Sequence, residues 1–187
     1  MKKRAVVAGL CLLALTVSGC TRTEKLPDQS PVPTQASAPF ACDGVPLKAT
    51  ELILGGEVVL DHAGGGWDDK VQGLSCSVTA KGSKALVMVT MTPMGQSPVW
   101  GSNEQEVLQT LAAQPNATPI EAEGEGAGYL SGGGNAGWVC GDRFILVEIS
   151  AVHAKGRDKR ADAQALLVSM LPWACNGEPV PKQSVQN

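Results

Sequence analysis

Hydrophobic and polar positions divide this chain into three zones. Ala5 to Val17 is a run of apolar residues broken only by Thr16, residues 21–39 are polar and proline-rich, and from Phe40 onward the pattern is that of a folded domain. Asp43 can cap a first helix with Pro46 in its opening turn; Leu47, Ala49, Leu52 and Ile53 face the core, and Gly55-Gly56 ends it. Glu57 to Leu60 suits a short strand. Between Val71 and Ala80 the pattern alternates, with Leu74, Cys76, Val78 and Ala80 on one face and Ser75, Ser77 and Thr79 on the other. Ala85 to Thr92 is apolar at almost every position, as in a strand covered on both faces.

A capping-box start, Ser102-Asn103-Glu104-Gln105-Glu106, predicts a second helix with Val107, Leu108, Leu111 and Ala112 as its stripe, stopped by Pro115. Strand candidates follow at Thr118–Glu123, Tyr129-Leu130, Ala136–Cys140 and Arg143–Val152, the last two joined by a tight turn at Gly141-Asp142. In the last helix Ala163, Leu166, Leu167, Met170, Leu171 and Ala174 recur at helical spacing, with Pro172 expected to end the regular part. The order α-β-β-α-β-β-β-α predicts an α+β domain, a mainly antiparallel sheet packed by helices. No internal repeat is visible.

The apolar run at the start holds 13 residues. A membrane-spanning helix needs about 20, whereas a secretory signal core needs about 7–15. Met1-Lys2-Lys3-Arg4 precedes it, and Val17-Ser18-Gly19-Cys20 closes it as a lipobox. Residues 1–19 therefore read as a lipoprotein signal peptide, and Cys20 as the thiol that receives diacylglycerol. Residues 20–39 read as the lipidated cysteine and a disordered, Pro-rich tether, 40–175 as one domain, and 176–187 as a disordered tail. The expected address is the extracytoplasmic face of the cell membrane, reached through the anchor.

Loss of Lys2, Lys3 and Arg4 leaves 12 Lys and Arg against 18 Asp and Glu. That acidic balance argues against nucleic acid and against a polybasic contact with anionic lipid. Cys42, Cys76, Cys140 and Cys175 remain, and an even number in an exported chain reads as disulfides. Three pairings are possible. The expected one is Cys42–Cys76 with Cys140–Cys175, since each pair then joins the outer end of a helix to a strand. No C-x-x-C pair and only two histidines make a metal-bound set a poor fit.

The lipobox and tether, Cys42-Asp43 at a helix start, a second cysteine on a strand, the turn Gly124-Glu125-Gly126-Ala127-Gly128-Tyr129 and the late Ala/Leu helix together resemble the actinobacterial lipoproteins grouped as domain of unknown function 3558. The likeness spans about Cys20 to Cys175; this chain has Ser77-Val78 where members commonly have Arg-Trp after the second cysteine. The resemblance implies an α/β sandwich similar to PsbP and Mog1 domains and carries no catalytic residues with it.

Candidate chemistry is thin. Gly132–Gly137 matches G-x-G-x-x-G but is followed by a strand, not the helix that a phosphate site needs. Asp61-His62 with Asp68-Asp69, flanked by glycines, reads as a polar surface turn more readily than as a metal site. Arg157-Asp158-Lys159-Arg160 reads as the solvated start of the last helix, and His153 as a turn residue. G-x-S-x-G and H-E-x-x-H are absent. No catalytic or metal-binding set is expected, and no cofactor beyond the lipid on Cys20. Four tryptophans stand against two Phe and one Tyr, and their first expected role is packing. If the domain binds a ligand, Trp67, Trp100, Gly126, Tyr129 and Trp138 are the candidate contacts. The expected function is a non-enzymatic envelope module binding a protein, glycan or lipid; an inhibitor of an exported hydrolase is the alternative, and an envelope enzyme a weaker one.

Overall fold

The computed structural model describes residues 27–97 and 99–184. Its centre is a seven-stranded, fully antiparallel sheet in the order β3-β4-β5-β9-β8-β7-β6. The strands are β3 (Val58–Gly65), β4 (Leu74–Ala80), β5 (Leu86–Pro93), β6 (Thr118–Pro119), β7 (Ala127–Leu130), β8 (Ala136–Cys140) and β9 (Arg143–Ile149). A separate two-stranded ribbon, β1 (Phe40–Cys42) and β2 (Val45–Pro46), precedes them. Three helices complete the α+β fold: α1 (Leu47–Leu54), α2 (Glu104–Ala112) and α3 (Lys159–Ala174). None of the described helices is long and apolar enough to cross a membrane.

The sheet carries two unequal cores. Helices α1 and α3 cover one face, where Ile53, Leu166, Leu167 and Met170 meet Val78, Val87, Val89, Ile145 and Val147. On the other face α2 lays Val107 and Leu111 on Val139, Phe144 and Leu146. This second helix covers the β7–β8 side. In β5 only Val87, Val89 and Met91 are buried, while Leu86, Met88 and Thr90 are half-buried. The expectation that β5 is covered on both faces is thereby corrected: its second face has no helix of its own.

Both disulfides pair as expected. Cys42–Cys76 ties β1 to β4 with Cα atoms 6.2 Å apart, and Cys140–Cys175 ties the end of β8 to the cap of α3 at 5.7 Å. Cys42 lies in the ribbon, however, and not at a helix end. Asp43 does not cap α1: it sits in the ribbon turn, and Pro46 occupies the cap position, with its φ of −66° already suited to entering a helix. Gly55, at φ 85°, closes α1 in the left-handed region and donates its N–H to the Glu51 carbonyl.

Four further expectations are revised. Residues 61–65 continue strand β3 and pair with β4, so Asp61-His62 lies on an edge strand at a register shift, not in a turn. Thr118–Glu123 contributes only the two residues of β6, and β9 ends at Ile149. Pro172 lies inside α3, which runs on to Ala174; Cys175 still donates to the Leu171 carbonyl at 2.9 Å.

The flanks are tied down. Val32 is buried, and Arg157 donates to the carbonyls of Asp28 (2.8 Å) and Ser30 (3.0 Å). Residues 177–184 form no helix or strand, yet Gly44 donates to Pro181 and Ser184 to Phe40.

Candidate functional site

Cys20 lies outside the described residues. Of the five aromatic and glycine positions singled out above, three serve packing. Trp67 and Trp138 are each 2 % exposed, and their indole N–H groups donate to the carbonyls of Asp43 (2.8 Å) and Glu125 (3.1 Å). Neither presents a ring to a ligand. Gly126 has φ 107°, and a Cβ there would stand 2.1 Å from the Val139 carbonyl oxygen, so glycine is demanded by the backbone. The Gly-rich stretch is tied at several points: the Glu125 N–H donates to Asn176 Oδ1 at 3.2 Å, and Ser131 and Asn135 close the β7–β8 connection.

Trp100 and Tyr129 are half-buried and lie on the α2 side of the sheet, both packed against the smaller core. Trp100 tilts against Phe144 with ring centroids 5.2 Å apart. Asn103 caps α2 by accepting from the Glu106 N–H, and Glu106 in turn accepts from the Ser102 N–H at 2.8 Å. This near-reciprocal cap fixes where α2 begins and therefore which side chains flank the helix.

Two hollows result, one on each side of α2. Glu104, Gln105, Leu108, Gln109, Ala112 and Tyr129 line an open hollow of about 400 Å³. The other, also of about 400 Å³, is lined by Trp100, Glu106, Gln109 and Thr110 among others. In the first, Leu108, Ala112 and the Tyr129 ring supply apolar surface, while Gln105, Gln109 and Glu104 supply amide and carboxylate groups. An apolar surface with a few polar groups at its margin is the usual make-up of a binding site. Its openness in shape suits a segment of polymer laid along the helix better than an enclosed small molecule. The α2 lining is legible only in part: the helical stripe places Leu108 and Ala112 in the core, although of its four residues only Val107 and Leu111 are buried.

The residues considered for metal or acid–base chemistry are dispersed. Asp61 accepts from Ser77 Oγ at 3.3 Å. Asp69 accepts the Gln72 and Val71 N–H groups at 2.8 Å and holds its own turn, which lowers its carboxyl below the ordinary value. Asp68 faces Arg143 at 3.3 Å. Among the described residues no group of three His, Cys, Asp or Glu side chains is placed to hold a metal ion. His153 stands in the β9–α3 turn with Nδ1 3.2 Å from the Ala151 carbonyl.

The basic run before α3 is not solvated throughout. Arg157 meets Asp162 through two bonds of 2.7 Å with side chains only 3 % and 6 % exposed. Arg160 donates to Asn116 and Ser131 carbonyls and to Thr118 Oγ1. These guanidinium groups are occupied in joining the start of α3 to neighbouring loops. Comparison of the chain with family models, with curated proteins and with solved structures found no match.

Proposed function

We propose that this protein is a non-enzymatic lipoprotein of the cell envelope, held to the outer membrane face through acylated Cys20, which binds an extended polymer segment in the hollow between α2 and β7. The reading of the address rests on the lipobox and the short apolar run before it. The reading of the activity rests on one observation: the hollow's lining residues, Leu108, Gln109, Ala112 and Tyr129, flank the only helix on its face of the described sheet. Peptide is the occupant best matched, because Gln105 and Gln109 offer amide donors and acceptors beside an apolar strip, as main-chain groups require. Membership of the lipoprotein family named above is part of the same proposal and is carried by the order of its short motifs.

The test is a photo-crosslinking residue placed at Gln105 in the full-length chain expressed in its own envelope. A crosslink to one partner that disappears on Leu108→Arg, with the thermal midpoint unchanged, supports the reading. A partner captured equally well by Leu108→Arg and by the unsubstituted chain contradicts it.

A further inference from the structure

The N-terminal segment enters the domain at one end of the sheet and is fastened there. Pro27 lies against the end of α1: a Cβ on Gly55 would be 3.6 Å from that of Pro27. Gln29 donates to the Lys155 carbonyl at 3.1 Å, and Arg157 holds the Asp28 and Ser30 carbonyls. Arg157 is itself fixed by the buried pair with Asp162. The same end carries the α1–β3, β4–β5 and β9–α3 turns, joined by bonds from Lys81 to Glu57, Ser150 to Leu86 and Ala154 to Ile53.

From this the geometry points to a defined orientation: we infer that this end of the domain, bearing Lys84, Val152 and Lys155, faces the lipid bilayer at close range. The inference rests on the reading of Cys20 as the acylated residue. Pro27 lies only seven positions after Cys20, and seven steps of chain reach at most about 25 Å. A free tether through Pro39 would reach more than twice as far. The fastening at Asp28 to Ser30 therefore removes most of the slack and leaves this end of the sheet nearest to the anchor.

Charge favours the same direction. Lys84 and Lys155 are exposed here beside exposed Asp28 and Asp158, and Glu57 is paired with Lys81 at 2.8 Å, so this end is close to charge balance. The opposite end carries exposed Asp68, Glu104, Glu123, Glu125, Asp142 and Glu178 against exposed Lys70 and Lys182, and is acidic on balance. Anionic headgroups attract basic side chains near their surface and repel acidic ones, within about a Debye length. The chain is acidic as a whole, but its acidic end is the one turned away.

The experiment uses the full lipidated chain in vesicles of phosphatidylethanolamine and phosphatidylglycerol containing a headgroup nitroxide lipid. A fluorophore is attached in turn at Ser83→Cys, in the near turn, and at Gln72→Cys, in the far one. Quenching at position 83 at least threefold stronger than at 72 is expected, falling toward equality when a Gly/Ser stretch of about twenty residues is inserted after Lys25. Chains that float with the vesicles but show equal or reversed quenching overturn the orientation while leaving the anchor intact. Native material without acyl chains that fails to float overturns both. Asymmetry that survives the insertion overturns the short fastening as its cause.

Discussion

Arg157 and Asp162 form a two-bond ion pair, 2.7 Å at each contact, almost wholly withdrawn from water at the first turn of α3. The same guanidinium reaches across to the carbonyls of Asp28 and Ser30. One side chain thus links the last helix to the segment that precedes the two-stranded ribbon. A buried charge is tolerated here because every face of it is met by a carboxylate or a carbonyl.

Breaking that pair from one side strands a buried charge. Arg157→Ala is expected to lower stability by about 3–5 kcal/mol, and to open the chain near Asp28 to proteases. The double substitution Arg157→Met with Asp162→Leu should recover much of the stability, since no charge is then stranded, but not the protection near Asp28. Denaturant titration and limited proteolysis read the two effects apart. Equal protease sensitivity of the double variant and the parent would show that the arginine does not fasten the segment.

Each disulfide closes a loop with a separation of 34 or 35 residues. In the chain-entropy picture such a closure contributes about 3–4 kcal/mol. Replacing Cys42 and Cys76 together by serine should lower the thermal midpoint by roughly 6–16 °C for a domain of this size. Replacing Cys140 and Cys175 should act similarly, and calorimetry of the two double variants checks this. A change below one degree in either would place the stabilisation elsewhere.

Asp43 joins the ribbon turn to the C-terminal segment. Burial pushes its carboxyl up, but the Gln183 N–H at 2.7 Å and the Lys182 ammonium at 3.0 Å outweigh that, and the net shift is downward. A carboxyl depressed in the folded state contributes stability above its unfolded value, near 3.9, and loses it as pH falls through the folded one. Residues 181–184 should therefore stay docked at neutral pH and loosen below about pH 4. Hydrogen exchange at the Gly44 amide, which donates to Pro181, reports the change; exchange that does not vary across that range would refute it.

Gly126→Ala separates packing from binding. A methyl group there meets the Val139 carbonyl at 2.1 Å, on a backbone at φ 107°. The substitution should cost about 1–3 kcal/mol, yet leave crosslinking at Gln105 intact once the protein is folded. Crosslinking lost with stability retained would instead place Gly126 in the contact surface.

How far the sequence could be read varies with the kind of signal. The antiparallel sheet, α2 and α3 and both disulfide pairs follow from alternation, helical spacing, capping residues and cysteine placement. Those signals are local, or depend on only one long-range pairing. The sequence reading ends β3 early because Gly64 and Gly65 read as a turn, whereas both pair with β4, at Ser75 and Leu74, with Gly65 at φ 67°. Asp43 reads as a helix cap because the residues that occupy it, Lys182 and Gln183, lie about 140 positions away. The loop tryptophans illustrate the same limit: a glycine beside Trp67 says nothing about the Asp43 carbonyl that takes its N–H. Likewise the hollow beside α2 depends on Tyr129 arriving from β7, which the helical stripe alone cannot reveal.

The account depends most on Cys20, and the mass of the N-terminal peptide from chain extracted out of native membranes tests it directly. The expected result is a peptide that begins at Cys20 and carries diacylglycerol on its sulfur. A peptide that begins elsewhere, or begins at Cys20 with a bare thiol, would contradict the membrane address and the orientation inferred from it.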